Sequence, residues 1–306
     1  MRWSQVWMRR TVIVVLALAV PAFALVAFEG LVRGGNETDR PHLIERAWHA
    51  PANAAKSLKL FVSGQKISAA AGSARAGEST GNEVNLPVLV YHNVRDKEAA
   101  KPPGLRPYDI TPAEFDAQMA YLEKNGYTSV SFGDLESALD GGKHLPPKPV
   151  LITLDDGRES QWQDAYPSLL RHHLTATFFV FTNAVGHDKY FTWEQLKEMQ
   201  ANGMDVQSHT VYHPYLTKAD DATLRKEMER SKASIEKNLG TKVIAVAYPF
   251  GLHDARVDAA AKAAGYLFAR TLNHVTRIGS ADHMNVPGYI TTGDIRNFPR
   301  ILSGEK

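Results

Sequence analysis

The chain reads as an α/β protein whose parallel sheet closes into a barrel, and three observations carry that reading. Short, nearly continuous apolar runs recur after Asn85, amphipathic stretches of helical length separate them, and about seven such units follow one another. Continuous apolar strands are buried on both faces, the situation of a parallel sheet covered by helices. That many units favours closure over an open sheet, and in a closed parallel barrel chemistry sits at the C-terminal ends of the strands.

Composition narrows the function. With 306 residues and 44% apolar content the chain can bury one substantial core, and domains of roughly 100 to 250 residues favour one main domain plus extensions. Basic and acidic residues nearly balance, 35 against 33, so a nucleic-acid partner held by a broad basic face is not expected. Cysteine is absent; a metal would have to be held by histidine and carboxylate.

Residues 1–29 read as a signal anchor or signal peptide. Arg2, Arg9 and Arg10 precede an uncharged, mostly apolar stretch from Thr11 to Phe28, about 18 residues against the roughly 17 to 25 of a membrane span. The arginine-rich front suits an uncleaved anchor with a cytoplasmic N-terminus, while Ala22 to Ala24 would serve a signal peptidase; either way the remainder lies outside the cytoplasm. Residues 30–84, rich in Ala, Gly, Ser and Asn, read as a spacer, at most partly helical around residues 42 to 62.

The domain proper is expected over residues 85–306. "LPVLVYHNV" reads as a buried strand. "TPAEFDAQMAYLEKNGY" reads as a helix with Thr111 as N-cap, Pro112 at N1 and Glu114 at N3, ending at Asn125 and Gly126. Strand "TSVSF", helix "GDLESALDGG", strand "KPVLITLDDG", helix "DAYPSLLRHH" and strand "TATFFVFT" follow. Helix "TWEQLKEMQANG", strand "MDVQSHT", the long helix "DATLRKEMERSKASIEKNLG", strand "VIAVAYPFG", helix "ARVDAAAKAAG" and strand "YLFART" complete the series, and "NVPGYIT" reads as a closing strand.

The strand ends concentrate polar residues that no strand needs: Tyr91 and His92, then Asp155, Asp156 and Gly157, then Ser208 and His209, then Tyr248 to Gly251. Adjacent carboxylates at the end of an apolar strand repel each other and resist desolvation unless a positive charge joins them. A divalent cation meets that need; the alternative is a solvated Asp-Asp-Gly turn. "HTVYH" brings two imidazoles together at i and i+4 if it forms one helical turn. A zinc protease would carry Glu where Thr210 stands, so that class is disfavoured. Two histidines plus one carboxylate make the three-ligand set with an open position that catalytic zinc uses.

"LITLDDG", "SHTVYHP" and "AYPFG", in that order and spacing, resemble the motifs of the polysaccharide deacetylases, the NodB-homology or carbohydrate esterase family 4 group, over about residues 86 to 290. "VLVYHNV" and "DITPAEFDAQMAYLEKNGY" further resemble the poly-N-acetylglucosamine deacetylase subgroup. The resemblance implies a distorted (β/α) barrel of the NodB-homology type. It implies that Asp156, His209 and His213 hold a divalent metal, usually zinc, that Asp155 is the general base, and that the backbone N–H of Tyr248 helps form an oxyanion hole. His92 becomes the candidate general acid. Ala247 stands where many members carry the arginine that orients the base, leaving the orienting group unidentified, and Leu154 stands where phenylalanine is commoner.

The expected reaction is removal of N-acetyl groups from an N-acetylglucosamine-containing polysaccharide of the cell envelope or exopolysaccharide. It needs a nucleophile, stabilisation of an oxyanion and a proton for the departing amine; a metal serves the first two and an imidazole the third. Tyr212 and Tyr289 are weaker candidates for substrate contact, and Trp162, Tyr190, Trp193 and Tyr215 could stack on sugars or fill core. A glycoside hydrolase would need its carboxyl groups roughly 5 to 9.5 Å apart across a sugar bond, which adjacent aspartates fit poorly. An O-acetyl esterase and a membrane-tethered glycan-binding scaffold remain as alternatives, and the tether is compatible with a polysaccharide synthesis or export complex.

Overall fold

The protein is described here as a computed structural model covering residues 83–96, 108–273 and 275–304. The N-terminal segment of residues 1–29 and the spacer up to residue 82 lie outside the described residues. Among the described residues no helix is long and apolar enough to cross a membrane.

In chain order the strands are β1 (Glu83–Asn85), β2 (Val88–Tyr91), β3 (Asn93–Val94), β4 (Asp109–Ile110), β5 (Thr128–Ser129), β6 (Pro149–Asp155), β7 (Thr177–Val180), β8 (Asp205–Ser208), β9 (Ala245–Ala247), β10 (Phe268–Leu272), β11 (Arg277–Gly279) and β12 (Val286–Ile290). The helices are α1 (Pro112–Lys124), α2 (Phe132–Leu139), α3 (Tyr166–Arg171), α4 (Trp193–Ala201), α5 (Asp221–Leu239), α6 (Ala255–Ala263) and α7 (Phe298–Ser303). Seven parallel strands run in the order β2, β12, β10, β9, β8, β7, β6, and β2 pairs with β6 to close the ring. The expected (β/α) barrel is therefore present. β5 hangs on the outer side of β6, and β1 pairs antiparallel with β11, so the domain's first described strand begins at Glu83, two residues before the expected boundary.

Helix α1 follows from its sequence. Thr111 caps it, Glu114 closes the capping box, and Phe115, Met119 and Leu122 form the buried stripe. Helix α3 departs from expectation: the stretch before it, Gln161–Ala165, is a π-helical turn, a rare geometry frequent at functional sites.

Strand alternation sorts the core into two clusters. Val88, Leu151, Phe179, Ala245, Ala247, Phe268 and Val286 belong to one, with Phe132, Leu135 and Leu139 of α2. Leu89, Tyr91, Ile152, Leu154, Phe178, Val180, Val206, Val246 and Ala269 belong to the other, with α1, α4 and α5. Because successive side chains point to opposite faces, the first set fills the barrel and the second packs under the outer helices. The same alternation continues upward from Val88, Leu151 and Phe268, so His92, Asp155 and Arg270 share the inner register at the top of the barrel.

Candidate active site

β6 delivers the paired carboxylates. Asp155 is the last inward residue of the strand, and Asp156 (φ 77°) and Gly157 (φ 67°) are both left-handed. A side chain at Gly157 would put its Cβ 2.9 Å from Val180 Cγ1, so the glycine is needed both for its backbone and for its lack of a Cβ. Both carboxylates are 2% exposed.

β8 delivers the histidines. The expected helical turn is absent: residues 209–213 form an irregular turn in which Thr210 (φ 71°) and His213 (φ 56°) are left-handed. The imidazoles nonetheless meet, ring centroids 4.6 Å apart, because the turn reverses the chain instead of winding it. His209 Nδ1 lies 2.8 Å from the Ala247 carbonyl oxygen; only a protonated Nδ1 can donate to it, which leaves Nε2 as a free lone pair facing the site. His209 Nε2 and His213 Nε2 lie 3.7 and 3.8 Å from Asp156 Oδ1.

Asp156, His209 and His213 each offer a ligand atom, all within 4.8 Å of one another and all buried. Asp156 Oδ1 has no hydrogen-bond partner among the described residues, a costly state for a buried carboxylate oxygen unless a cation meets it. Burial pushes the His209 pKa well below its ordinary value and the His213 pKa below it too, so both are neutral, as metal ligands must be. Burial alone would raise the Asp156 pKa, but the positive charge around it, led by Arg158 with Nε 3.7 Å from Oδ2, outweighs burial and holds the carboxyl below its ordinary value. Two imidazoles and one ionised carboxylate fit a divalent cation with an open coordination position.

Asp155 is oriented by a residue that the motif reading did not identify. Arg270 on β10 is fully buried, and its Nη2 donates to Asp155 Oδ2 in an ion pair. It lies over the Phe179 ring, its guanidinium carbon 5.6 Å from the centroid, and Gly288 makes room for it: a Cβ there would lie 2.8 Å from Arg270 Cδ. The signal was a charged residue at an inward position of the apolar strand "FARTL". With Oδ2 so engaged, Asp155 Oδ1 is buried without a hydrogen-bond partner among the described residues.

His92, 6% exposed, places Nε2 3.6 Å from Asp155 Oδ2, and its ring meets Tyr108 edge-on at 4.8 Å. Gln161, at the start of the π-helical turn, donates through Nε2 to the carbonyls of His92 (2.7 Å) and Asp155 (2.5 Å). One carboxamide thus ties the ends of β2 and β6 together.

Two expectations are corrected. The backbone N–H of Tyr248 donates to the Arg270 carbonyl at 3.0 Å, so the β9–β10 ladder occupies it and it does not point into an oxyanion hole. The residue of that turn that reaches the histidines is Phe250 (φ 62°), its ring 4.7 Å from that of His213. Tyr289 does not line the site either. Gly288 is the inward residue at that level, so Tyr289 points outward and shares a small cleft with Pro87, Val88 and Ile301. Tyr212, which separates the two histidines in sequence, is half-buried.

Comparison with known proteins agrees with this geometry. A family model for polysaccharide deacetylases matches residues 142–269. The Bacillus subtilis protein YxkH, provisionally named a polysaccharide deacetylase, is 32% identical over 187 residues; the match covers 61% of this chain and 64% of that one, just under two thirds of the relative's length. A poly-beta-1,6-N-acetyl-D-glucosamine N-deacetylase of Staphylococcus epidermidis is 26% identical over 228 residues, 67% of this chain and 78% of that one. The solved structure of the Streptococcus pyogenes deacetylase PplD in complex with acetate aligns with a TM-score of 0.66 at 27% identity, over 73% of this chain and 99% of that chain.

Proposed function

We propose, from the premise that the chain belongs to the polysaccharide deacetylase family, that it is a metal-dependent hydrolase removing N-acetyl groups from an N-acetylglucosamine-containing polysaccharide. The observation that carries the reading is one buried cluster holding a three-ligand set (Asp156, His209, His213), a carboxylate with one unpartnered oxygen (Asp155) and an imidazole 3.6 Å from that carboxylate (His92).

Asp156, His209 and His213 would hold the cation, and their two neutral nitrogens and one carboxylate suit zinc. Bound there, such an ion supplies Lewis acidity, lowering the pKa of water towards roughly 7 and polarising an acyl oxygen. Asp155 acts as general base through Oδ1, with Arg270 fixing Oδ2 so that the oxygen accepting the proton has one orientation. His92, on the neighbouring strand, donates a proton to the departing amine, and Gln161 fixes the separation of the strand ends that carry acid and base. Buried walls exclude bulk water from these transfers, which strengthens each electrostatic contact. The N-terminal segment, as a signal anchor or signal peptide, would place this chemistry outside the cytoplasm, where envelope and exported polysaccharides lie.

The test is acetate release from N-acetylglucosamine oligomers by the full chain, with chelator, zinc add-back and Asp155→Asn. Release should stop with chelator, return with zinc and fall by about 10²- to 10⁴-fold in Asp155→Asn, the usual contribution of a positioned base. Zinc bound stoichiometrically with no acetate released from any N-acetylated glycan would move the reading to an O-acetyl ester substrate or to a glycan-binding scaffold.

A further inference from the structure

Two of the three candidate ligands flank a turn that the backbone would not adopt unaided. Thr210 and His213 are both left-handed, a conformation unfavourable for residues other than glycine that persists only where surroundings over-determine it. The surroundings here come from α5. Glu227, a carboxylate only 5% exposed, accepts through one oxygen, Oε2, the backbone N–H of Val211 at 2.8 Å and of Tyr212 at 2.9 Å. Successive N–H groups converging on one point are an anion-binding arrangement, and this chain supplies the anion from within. One helical turn further along, Ser231 donates to the Glu227 carbonyl at 2.6 Å and accepts from Ser208 at 2.8 Å. Ser208 Oγ in turn accepts the Thr210 N–H at 3.2 Å, and Thr210 Oγ1 accepts the His213 N–H at 3.0 Å.

We propose that Glu227 is a positioning residue for the metal: its buried carboxylate clamps the Val211–Tyr212 backbone and so sets the distance and angle between the His209 and His213 nitrogens. The proposal rests on the reading of Asp156, His209 and His213 as a metal site. It adds that ligand geometry is imposed from outside the motif, by a residue of α5 that holds the backbone between the two histidines. A carboxylate buried for stability alone would not need to face the two amides between the ligands, since apolar filling of the same space avoids its desolvation.

The experiment measures zinc affinity of the full chain by competition with a chromophoric chelator, for wild type, Glu227→Gln, Glu227→Leu and His213→Ala, with the visible spectrum of the cobalt-loaded forms alongside. Glu227→Leu should weaken zinc binding by about 10- to 100-fold, the usual effect of removing a group that orients a ligand, and should change the cobalt spectrum. Glu227→Gln keeps an acceptor of the same shape, so its affinity should fall between wild type and Glu227→Leu and its cobalt spectrum should stay near wild type. Unchanged zinc affinity in a folded Glu227→Leu overturns the proposal; if that variant does not fold, unchanged affinity in Glu227→Gln overturns it. Zinc binding absent from wild type, or undiminished in His213→Ala, removes the metal reading and this proposal together. Tight wild-type binding that is indifferent to position 227 removes this proposal alone.

Discussion

Arg270 and Asp155 show how much rests on single residues inside this barrel. A fully buried guanidinium faces a 2% exposed carboxylate, and Arg270 Nε and Nη1 have no hydrogen-bond partner among the described residues. Desolvating two charges with several donors unsatisfied is a poor way to stabilise a fold, since a well-packed apolar pair of the same volume does as well or better. The pair therefore makes sense as an orienting device. Arg270→Met should strand Asp155 as an uncompensated buried charge and cost roughly 3 to 5 kcal/mol. Adding Asp155→Asn should recover most of that loss while abolishing the proposed deacetylase activity. Urea unfolding of both single variants and the double variant checks this; additive losses would show that the two side chains do not act as a unit.

At the scale of elements, polar links join the outer helices to the barrel and to one another, and the link between α1 and α3 carries a pH signature. Asp116 on α1 accepts from Ser168 at 2.7 Å and from Arg171 at 2.5 Å, both on α3, and lies 3.2 Å from His172 Nε2. His172 Nδ1 faces Glu123 of α1 at 2.7 Å. The Ser168 hydroxyl first, and then Arg171 and His172, draw the Asp116 pKa from 3.8 down to about 2. A carboxyl whose pKa is depressed by folding stabilises the fold in its ionised form. That stabilisation is fully present above 3.8 and is lost as pH falls towards about 2. In Asp116→Asn this part of the acid dependence should vanish, so the Tm difference between wild type and variant should shrink between pH 5 and pH 2. A difference that stays constant over that range would mean the α1–α3 link is not ionic in origin. Helix α1 was legible in advance because its cap, its first turn and its apolar stripe are all local; its docking on α3 was not, because Asp116 and Ser168 are 52 residues apart.

For the whole molecule, what the sequence made legible and what it hid divide by range. Asp155, Asp156, His209 and His213 were readable because a parallel barrel gathers the ends of its strands, and any polar residue following an apolar run lands there. Arg270 was hidden because it lies 115 residues from Asp155 and only barrel closure makes them neighbours. The misplacements of Tyr248 and Tyr289 have one cause: strand register and alternation decide which N–H is taken by the ladder and which side chain points out, and a motif does not state its register. The same closure sets the energetic consequence of the proposed metal site. Its ligands come from the ends of β6 and β8, which do not pair with each other but are separated by β7, so a bound cation would cross-link strands that are not neighbours in the sheet. An ion that binds the folded barrel and not the unfolded chain stabilises it by about 2.7 kcal/mol at 100 times its Kd. For a domain of this size each kcal/mol moves the Tm by about 2 to 4 °C. Saturating zinc should therefore raise the Tm by at least about 5 °C, chelator should reverse the rise, and His213→Ala should abolish it while leaving the metal-free Tm near that of wild type. A zinc-induced rise that survives in His213→Ala would place the stabilising ion elsewhere on the molecule and detach the Asp156–His209–His213 cluster from metal binding.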